Sequence, residues 1–381
     1  MISFDLTEDQ RLLRDEVRRF AEEAIAPGVG ERDRRHEFPA EVIGQLGALG
    51  LLGMQIPEDY GGILSDQLTY ALVVEELARI CPVTAVTVSV HNSVCCWPIV
   101  HFGGEELKEE VLPRLAAGEV LGAFALTEPG SGSDAGSLRA TARREGDCWV
   151  LDGEKAWITN AGLAGYYVTF ARTDPQAGKR GISAFVVPRD AAGLSVGTPE
   201  EKVGLKASVT APLAFEECAI PARNLLGDEG QGFKVALATL DHSRLGIAAQ
   251  ALGIQQRALE LARDYAKERE QFGVPIAQHQ AIRFQLAQMA TELAAARALT
   301  HAAALPSGDS ARAGRLASEA KLYASEAANR AVWQAVQIHG GNGFCEDYEI
   351  ARISRDVRVT TIYEGTSEMQ RLVIARHLLR D

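Results

Sequence analysis

Near its C-terminus the chain reads Ile362-Tyr363-Glu364-Gly365-Thr366-Ser367-Glu368, setting one carboxylate between an aromatic residue and a glycine. A carboxylate on a turn ahead of a helix can work as a general base once water is kept away from it. Gly365 has no side chain to hold off an approaching ligand. The last helix is expected to start at once, with Ser367 as N-cap and Gln370 at the capping-box position. The ordinary alternative for Glu364 is a solvated acid held near a helix N-terminus by the dipole.

Four other stretches carry groups that suit a phosphate, a flat ring or an anion. Thr127-Glu128-Pro129-Gly130-Ser131-Gly132-Ser133-Asp134-Ala135-Gly136 matches a dinucleotide fingerprint loosely, at Gly130, Gly132 and Ala135. A true fingerprint opens a helix inside a βαβ unit, whereas strand-like alternation follows here, so the match is rejected. Gly340-Gly341-Asn342-Gly343 ends a helical stretch and reads first as its C-cap. Both clusters expose backbone N–H groups and permit close approach. Lys155-Ala156-Trp157-Ile158-Thr159-Asn160 sets an indole beside hydroxyl and amide groups, although a strand tryptophan is ordinarily core. Arg269-Glu270-Gln271-Phe272-Gly273 closes a helix with a cation, ordinarily a dipole complement, and turns on glycine.

The elements that must position these groups fall into three regions. With 381 residues there is room for two or three packed regions. Hydrophobic content of 46% with 24% charged residues marks a soluble globular chain rather than a disordered one. A net charge of −12 disfavours nucleic acid and anionic membranes as main partners. The six cysteines include no Cys-x-x-Cys and the histidines no paired spacing, so reduced thiols and no structural metal are expected. The opening Met1-Ile2-Ser3-Phe4-Asp5-Leu6 has neither a basic segment nor a long apolar core, and it reads as neither a signal nor a transit peptide. No apolar run is read as reaching the roughly 18–20 residues that span a bilayer. A cytoplasmic protein is the resulting expectation.

Residues 1–120 have helical periodicity. Thr7 and Gln10 form a capping box ahead of Leu12, Leu13, Val17 and Phe20, and further helices are predicted from Pro39 to Gly50 and from near Ser65. Val83 to Val90 is β-branched yet is read as a buried helix from its flanks. Residues 121–232 carry short β-favouring runs and predict a small antiparallel β domain, with a hairpin turn at Asp152-Gly153. In 233–381 the helical period returns over Phe233 to Gln271, Ile276 to Ala304, Ser310 to His339 and Ser367 to Leu379, predicting a four-helix bundle. The fold class is therefore α+β multidomain: α, then β, then α.

Joined in this order, the motifs resemble the acyl-CoA dehydrogenase family of flavoproteins, nearest to its short-chain, butyryl-CoA type members. The similarity covers nearly the whole chain and rests on Ala125 to Asp134, Lys155 to Asn160, Arg269-x-x-Phe272-Gly273, Gln280, Gln337 to Gly341, and Ile362 to Glu368. It implies FAD at the junction of the β domain and the bundle. Phe124, Leu126, Thr127, Gly132 and Ser133 would contact the flavin with Trp157, Ile158 and Thr159, and Thr366, Ser367 and Glu368 would complete that site. Arg269, Phe272 and Gln280, with Gln337, Ile338, His339, Gly340 and Gly341, would serve the pyrophosphate and adenosine of a neighbouring subunit's cofactor. A homo-oligomer, usually a tetramer, is therefore implied.

For substrate, the resemblance points to Ser133, to Asp241, His242, Ser243 and Arg244, and to Gly365. Val83 to Ser93 falls where relatives line the acyl cavity, which Trp97 would shorten if it reaches it. Glu364 would take the α-proton of an acyl-CoA while the β-hydrogen leaves as hydride, giving a trans-2-enoyl-CoA, with electrons passed to electron-transferring flavoprotein. Some relatives, such as isovaleryl-CoA dehydrogenases, place the base where this chain has Ser243, which is no carboxylate; position 364 has the glutamate instead. Burial should raise the Glu364 pKa and the following helix should lower it, and sequence leaves the winner open. Rival readings are an acyl-CoA oxidase using oxygen, and a non-catalytic binding protein on the same scaffold.

Overall fold

A computed structural model describes residues 6–379. Met1–Asp5, read above for targeting signals, lie outside that range. Helix α1 (Glu8–Phe20) opens with the expected capping box, Gln10 N donating to Thr7 Oγ1 at 3.2 Å and Thr7 N to Gln10 Oε1 at 3.1 Å. Leu13, Val17 and Phe20 face the core, but Leu12 does not and is exposed. Spacings of four and seven residues share a helix face, whereas Leu12 sits five residues from Val17, on the other side.

Helices α2 (Val29–Arg35), α3 (Ala40–Ala48) and α4 (Gln67–Ile80) follow, and Asp66 caps the last through Thr69 N at 2.7 Å. The β-branched stretch is helical, as its flanks predict: α5 (Pro82–Val90) is buried at every position. It continues through a π-helical turn, His91–Cys96, into α6 (Trp97–Phe102). This 21-residue run, Pro82–Phe102, is long and apolar enough to cross a membrane, which corrects the expectation from sequence. It is almost wholly enclosed by the protein and serves as a core helix. Helix α7 (Glu105–Ala116) closes the region.

The middle region is a sheet of eight strands. They are β1 (Leu121–Ala125), β2 (Thr141–Glu145), β3 (Cys148–Thr159), β4 (Ala164–Arg172), β5 (Ile182–Pro188), β6 (Leu194–Val196), β7 (Thr210–Pro221) and β8 (Leu225–Leu226). The order is β6-β7-β3-β2-β4-β5-β8, with β1 on β4. Most pairs are antiparallel, while β1 and one residue of β2 lie parallel to β4. The predicted hairpin at Asp152-Gly153 is not there, because β3 runs straight through it. Gly146, at φ 59°, makes the turn between β2 and β3 instead. Gly153 marks a bulge against β7 at φ 136°, where a Cβ would come within 2.7 Å of Ala140 Cα.

Beyond the sheet come α8 (Gly232–Glu268), the small ribbon β9 (Glu270–Gln271) and β10 (Val274–Pro275), and then α9 (Gln280–Ala304), α10 (Ser310–His339), α11 (Glu349–Asp356) and α12 (Ser367–Leu378). Buried alanines, among them Ala251, Ala258 and Ala262 on α8 and Ala320, Ala324 and Ala328 on α10, let the helices approach closely. Charged pairs join the regions. Arg79 meets Glu260 at 2.9 Å, Arg355 meets Asp33 at 2.7 Å, and Asp356 Oδ1 accepts Leu205 N at 2.6 Å. The sheet and both helical regions are thereby fixed around one junction.

Candidate active site

The turn that carries Glu364 is built from unfavourable backbone. Glu364 has φ 50° and Gly365 φ 93°, and left-handed backbone in a non-glycine residue persists only where its surroundings impose it. The surroundings are two donors. Lys321 Nζ donates to Gly365 O at 2.6 Å, and Gln370 Nε2 donates to the same oxygen at 2.9 Å and to Glu364 O at 3.4 Å. A side chain at 365 would come within 2.7 Å of Gln370 Nε2. The cap of α12 is Thr366 rather than Ser367: Thr366 holds the extended conformation and its Oγ1 accepts Met369 N at 3.3 Å. Gln370 therefore binds the turn and forms no capping box. Ser367 Oγ is left buried with no partner among the described residues.

Glu364 as a residue is half-buried, but its Oε2 is shut off from solvent and has no hydrogen-bond partner among the described residues. The Glu364 N–H likewise finds no acceptor among them. Burial is the dominant influence and pushes the carboxyl up to about 7. The Ser243 hydroxyl and the cations Lys321 and Arg244 pull the other way and lose. Arg244 Nη1 pairs with Asp241 and donates to Ser318 Oγ at 3.1 Å, while its Nε is buried without a partner. Tyr70 and Tyr363, both held neutral by burial, complete the surroundings; Tyr70 Oη lies 2.9 Å from Ser89 Oγ and Tyr363 Oη donates to Gln250 Oε1.

A second set of groups lies on the sheet. Lys155 is fully buried beside Glu128, its Nζ 2.8 Å from Oε1, and burial pulls the ammonium down to about 8. Glu128 also accepts Ala140 N at 3.0 Å, so this pair pins the Leu126–Ser133 loop against β3. Ala156 N reinforces the tie by donating to Thr127 O at 2.8 Å. Between Lys155 and Ile158 the β3–β7 register shifts. That bulge puts Trp157 at φ 61° and turns its indole outward, so it is 61% exposed rather than core. Ile158 is buried and Thr159 half-buried. Asn160, also left-handed at φ 65°, donates to Gly122 O at 3.0 Å. Gly132 and Ser133 are exposed, and a Cβ on Gly130 or Gly132 would meet nothing within 4 Å. Phe124 and Thr127 are half-buried and Leu126 is buried. An outward indole, open space over a glycine loop and an orphaned Ser367 hydroxyl fit a flat ring with a polar chain.

The remaining cofactor candidates face elsewhere. Arg269, Phe272, Gln280, Gln337, Gly340 and Gly341 are exposed, Phe272 to 94%. Gln337 lies sixteen residues after Lys321 on α10, roughly 24 Å along the axis. Ile338 and His339 were candidates too, but Ile338 is in the bundle core and His339 stacks on Tyr265 at 4.3 Å with Nδ1 on Ala335 O. Their side chains are committed within this chain. On the substrate side Ser243 and Arg244 are buried next to Glu364, Asp241 is exposed and His242 stacks on Trp97 at 4.6 Å. Trp97 is sandwiched between His242 and His101, 4.2 Å away on its other side. Glu368 is exposed.

Reasoning from sequence missed Lys321, Tyr70 and the Glu128–Lys155 pair, and it gave Gln370 a capping role in place of its hold on the turn. One signal was present: Ser318, Lys321 and Ser325 recur at spacings of three and four, a polar stripe on an alanine-rich helix, and all three are fully buried.

Comparison with known proteins finds relatives along the whole chain. Family models described as acyl-CoA dehydrogenase N-terminal, middle and C-terminal domains match residues 7–119, 123–218 and 230–379. The mitochondrial short-chain specific acyl-CoA dehydrogenase of Mus musculus is 48% identical over 99% of this chain and 92% of its own length. The butyryl-CoA dehydrogenase structure from Megasphaera elsdenii matches all of both chains at 42% identity with a TM-score of 0.96. A chain from a structure titled for the electron transferring flavoprotein of Acidaminococcus fermentans matches all of both chains at 45% identity, also with a TM-score of 0.96. This chain belongs to the acyl-CoA dehydrogenase family, oxidoreductases that use FAD.

Proposed function

We propose that the protein dehydrogenates a short- or branched-chain acyl-CoA to the trans-2-enoyl-CoA, with Glu364 as the base that removes the α-proton. The observation that carries this reading is the Glu364 carboxylate itself. It is a shielded, unpartnered oxygen on an enforced left-handed turn, with a pKa near neutrality. A thioester α-proton is too weakly acidic for a carboxylate in water. Removal becomes feasible when donors grip the thioester oxygen and water is excluded. The free N–H of Glu364 is one such donor. Tyr70, Tyr363 and the buried seam around them keep the carboxylate dry.

Bound FAD supplies the hydride acceptor, chemistry that no side chain offers. Trp157, the Leu126–Ser133 loop and Ser367 would hold its ring and nearby polar chain. Arg269, Phe272, Gln280 and Gln337 would hold the far end of a neighbouring subunit's cofactor, in a homotetramer. Exposed Phe272, Phe344 and Trp333 on that face support burial by a second copy. Electron-transferring flavoprotein is the proposed acceptor, supported by the similarity to the Acidaminococcus fermentans structure.

The test is anaerobic addition of butyryl-CoA to the yellow protein. Bleaching of the flavin band is expected, and Glu364→Gln should keep the colour and lose the bleaching. Full bleaching of that variant overturns Glu364 as base. Rapid recolouring in air would point to oxygen as the acceptor.

A further inference from the structure

Lys321 lies in the interior of α10 with no exposed surface, and no carboxylate stands within salt-bridge distance of it among the described residues. A buried ammonium without a close counter-ion is costly, so its one strong contact is informative. That contact is Gly365 O, at 2.6 Å. Gln370 Nε2 shares the same oxygen and also reaches Glu364 O. The peptide planes on both sides of Gly365 are thereby gripped, which fixes where Glu364 points.

We propose that Lys321 is a positioning residue for the base: its ammonium clamps the left-handed Glu364–Gly365 turn and sets a fixed positive charge beside the carboxylate. This rests on Glu364 being the base. The groups facing Glu364 are Ser243 and Arg244 from α8, Lys321 from α10, Tyr70 from α4 and its neighbour Tyr363. Those facing Lys321 are Glu364, Arg244, Glu368 and Glu326. Of the two cations, Arg244 is already paired with Asp241, so Lys321 is the one whose charge is not engaged by a bonded carboxylate. Burial holds Lys321 down at about 8 and Glu364 up at about 7, while the charge on each favours the charged form of the other.

Acetyl-CoA isolates the step, because it has α-hydrogens and no β-carbon. In D2O the base breaks a C–H bond, the electron pair moves onto the thioester oxygen, and a deuteron returns to the methyl carbon. The FAD-loaded enzyme is followed by proton NMR across pH. In Lys321→Met, exchange should slow by about 100-fold at neutral pH, and its midpoint should rise by about one unit. Lys321→Arg should keep the wild-type midpoint and recover most of the rate. Wild-type rate and midpoint in Lys321→Met overturn the role. So does a slow Lys321→Met with an unmoved midpoint that Lys321→Arg fails to rescue, which marks a merely structural residue. If Lys321→Met does not fold with FAD, Lys321→Gln is read by the same criteria. Glu364→Gln is the control: exchange at the wild-type rate in that variant removes Glu364 as base and the proposal with it, whereas slow exchange there beside wild-type behaviour in Lys321→Met overturns the role of Lys321 alone.

Discussion

Two ends of α10 treat polar groups in opposite ways. In its interior Lys321 meets the Glu364 turn, where every polar group is either gripped by a named partner or held back from water. At its C-terminal end Gln337, Gly340 and Gly341 join Arg269 and Phe272 on an open face with Trp333 and Phe344, both more than three-quarters exposed. The first arrangement is complete within one chain. The second is a set of donors and aromatic surfaces open to solvent in the single chain. Residues of similar chemistry are therefore held differently: the interior stretch is gripped around one shielded carboxylate, and the outer end is left exposed.

The sharpest way to break this contrast is at the interior. Glu364→Gln should lower the rate of flavin reduction at neutral pH by about 10³–10⁴-fold, measured by stopped flow, with FAD content unchanged. Next in size is Lys155→Met, which leaves Glu128 buried and uncompensated. It should cost about 3–5 kcal/mol in chemical denaturation and release flavin. The pH profile of reduction sharpens the same point. Since burial raises Glu364 to about 7, the active carboxylate form is lost as pH falls, and the rate should drop about tenfold per unit below that value. The same shift favours the folded state below pH 4.5, and that contribution fades as pH rises towards 7. Thr366→Ala removes the cap of α12 and should cost about 1 kcal/mol, with a measurable fall in Tm. The outer face gives the smallest single-chain effect: Phe272→Ala should leave stability within about 0.5 kcal/mol, yet shift the assembly towards smaller species in sedimentation. An unchanged assembly would mean that the outer end, like the interior, needs no second copy.

Much of the architecture was legible because its signals are local. The Thr7–Gln10 box, the period of α10 and the Gly340 stop each sit within a few residues. What sequence could not resolve depended on distant partners. Asp152-Gly153 has hairpin chemistry, but β7 captures the segment as a bulged continuous strand. Trp157 has the composition of a core residue, and only the register shift turns it outward. Thr366 and Ser367 are equally good caps by type, and the clamp on Gly365 decides between them. At the site, Glu364 stood out from its neighbours in sequence, whereas Lys321, and the hold of Gln370 on the turn, became visible only when α10 and α12 met. The balance on the Glu364 carboxyl had to wait for the same reason, since burial is a property of the assembled fold.

The 21-residue run Pro82–Phe102 has a consequence for synthesis. Its apolar surface is covered by α4, β1 and above all α8, and α8 begins at Gly232, about 130 residues after the run ends. At roughly 5–20 residues per second, the ribosome leaves that surface without its main cover for on the order of ten to thirty seconds. During that interval the nascent chain offers a segment with the length and greasiness of a bilayer span. Conditions that shield this segment until α8 has been made should therefore raise the yield of folded protein.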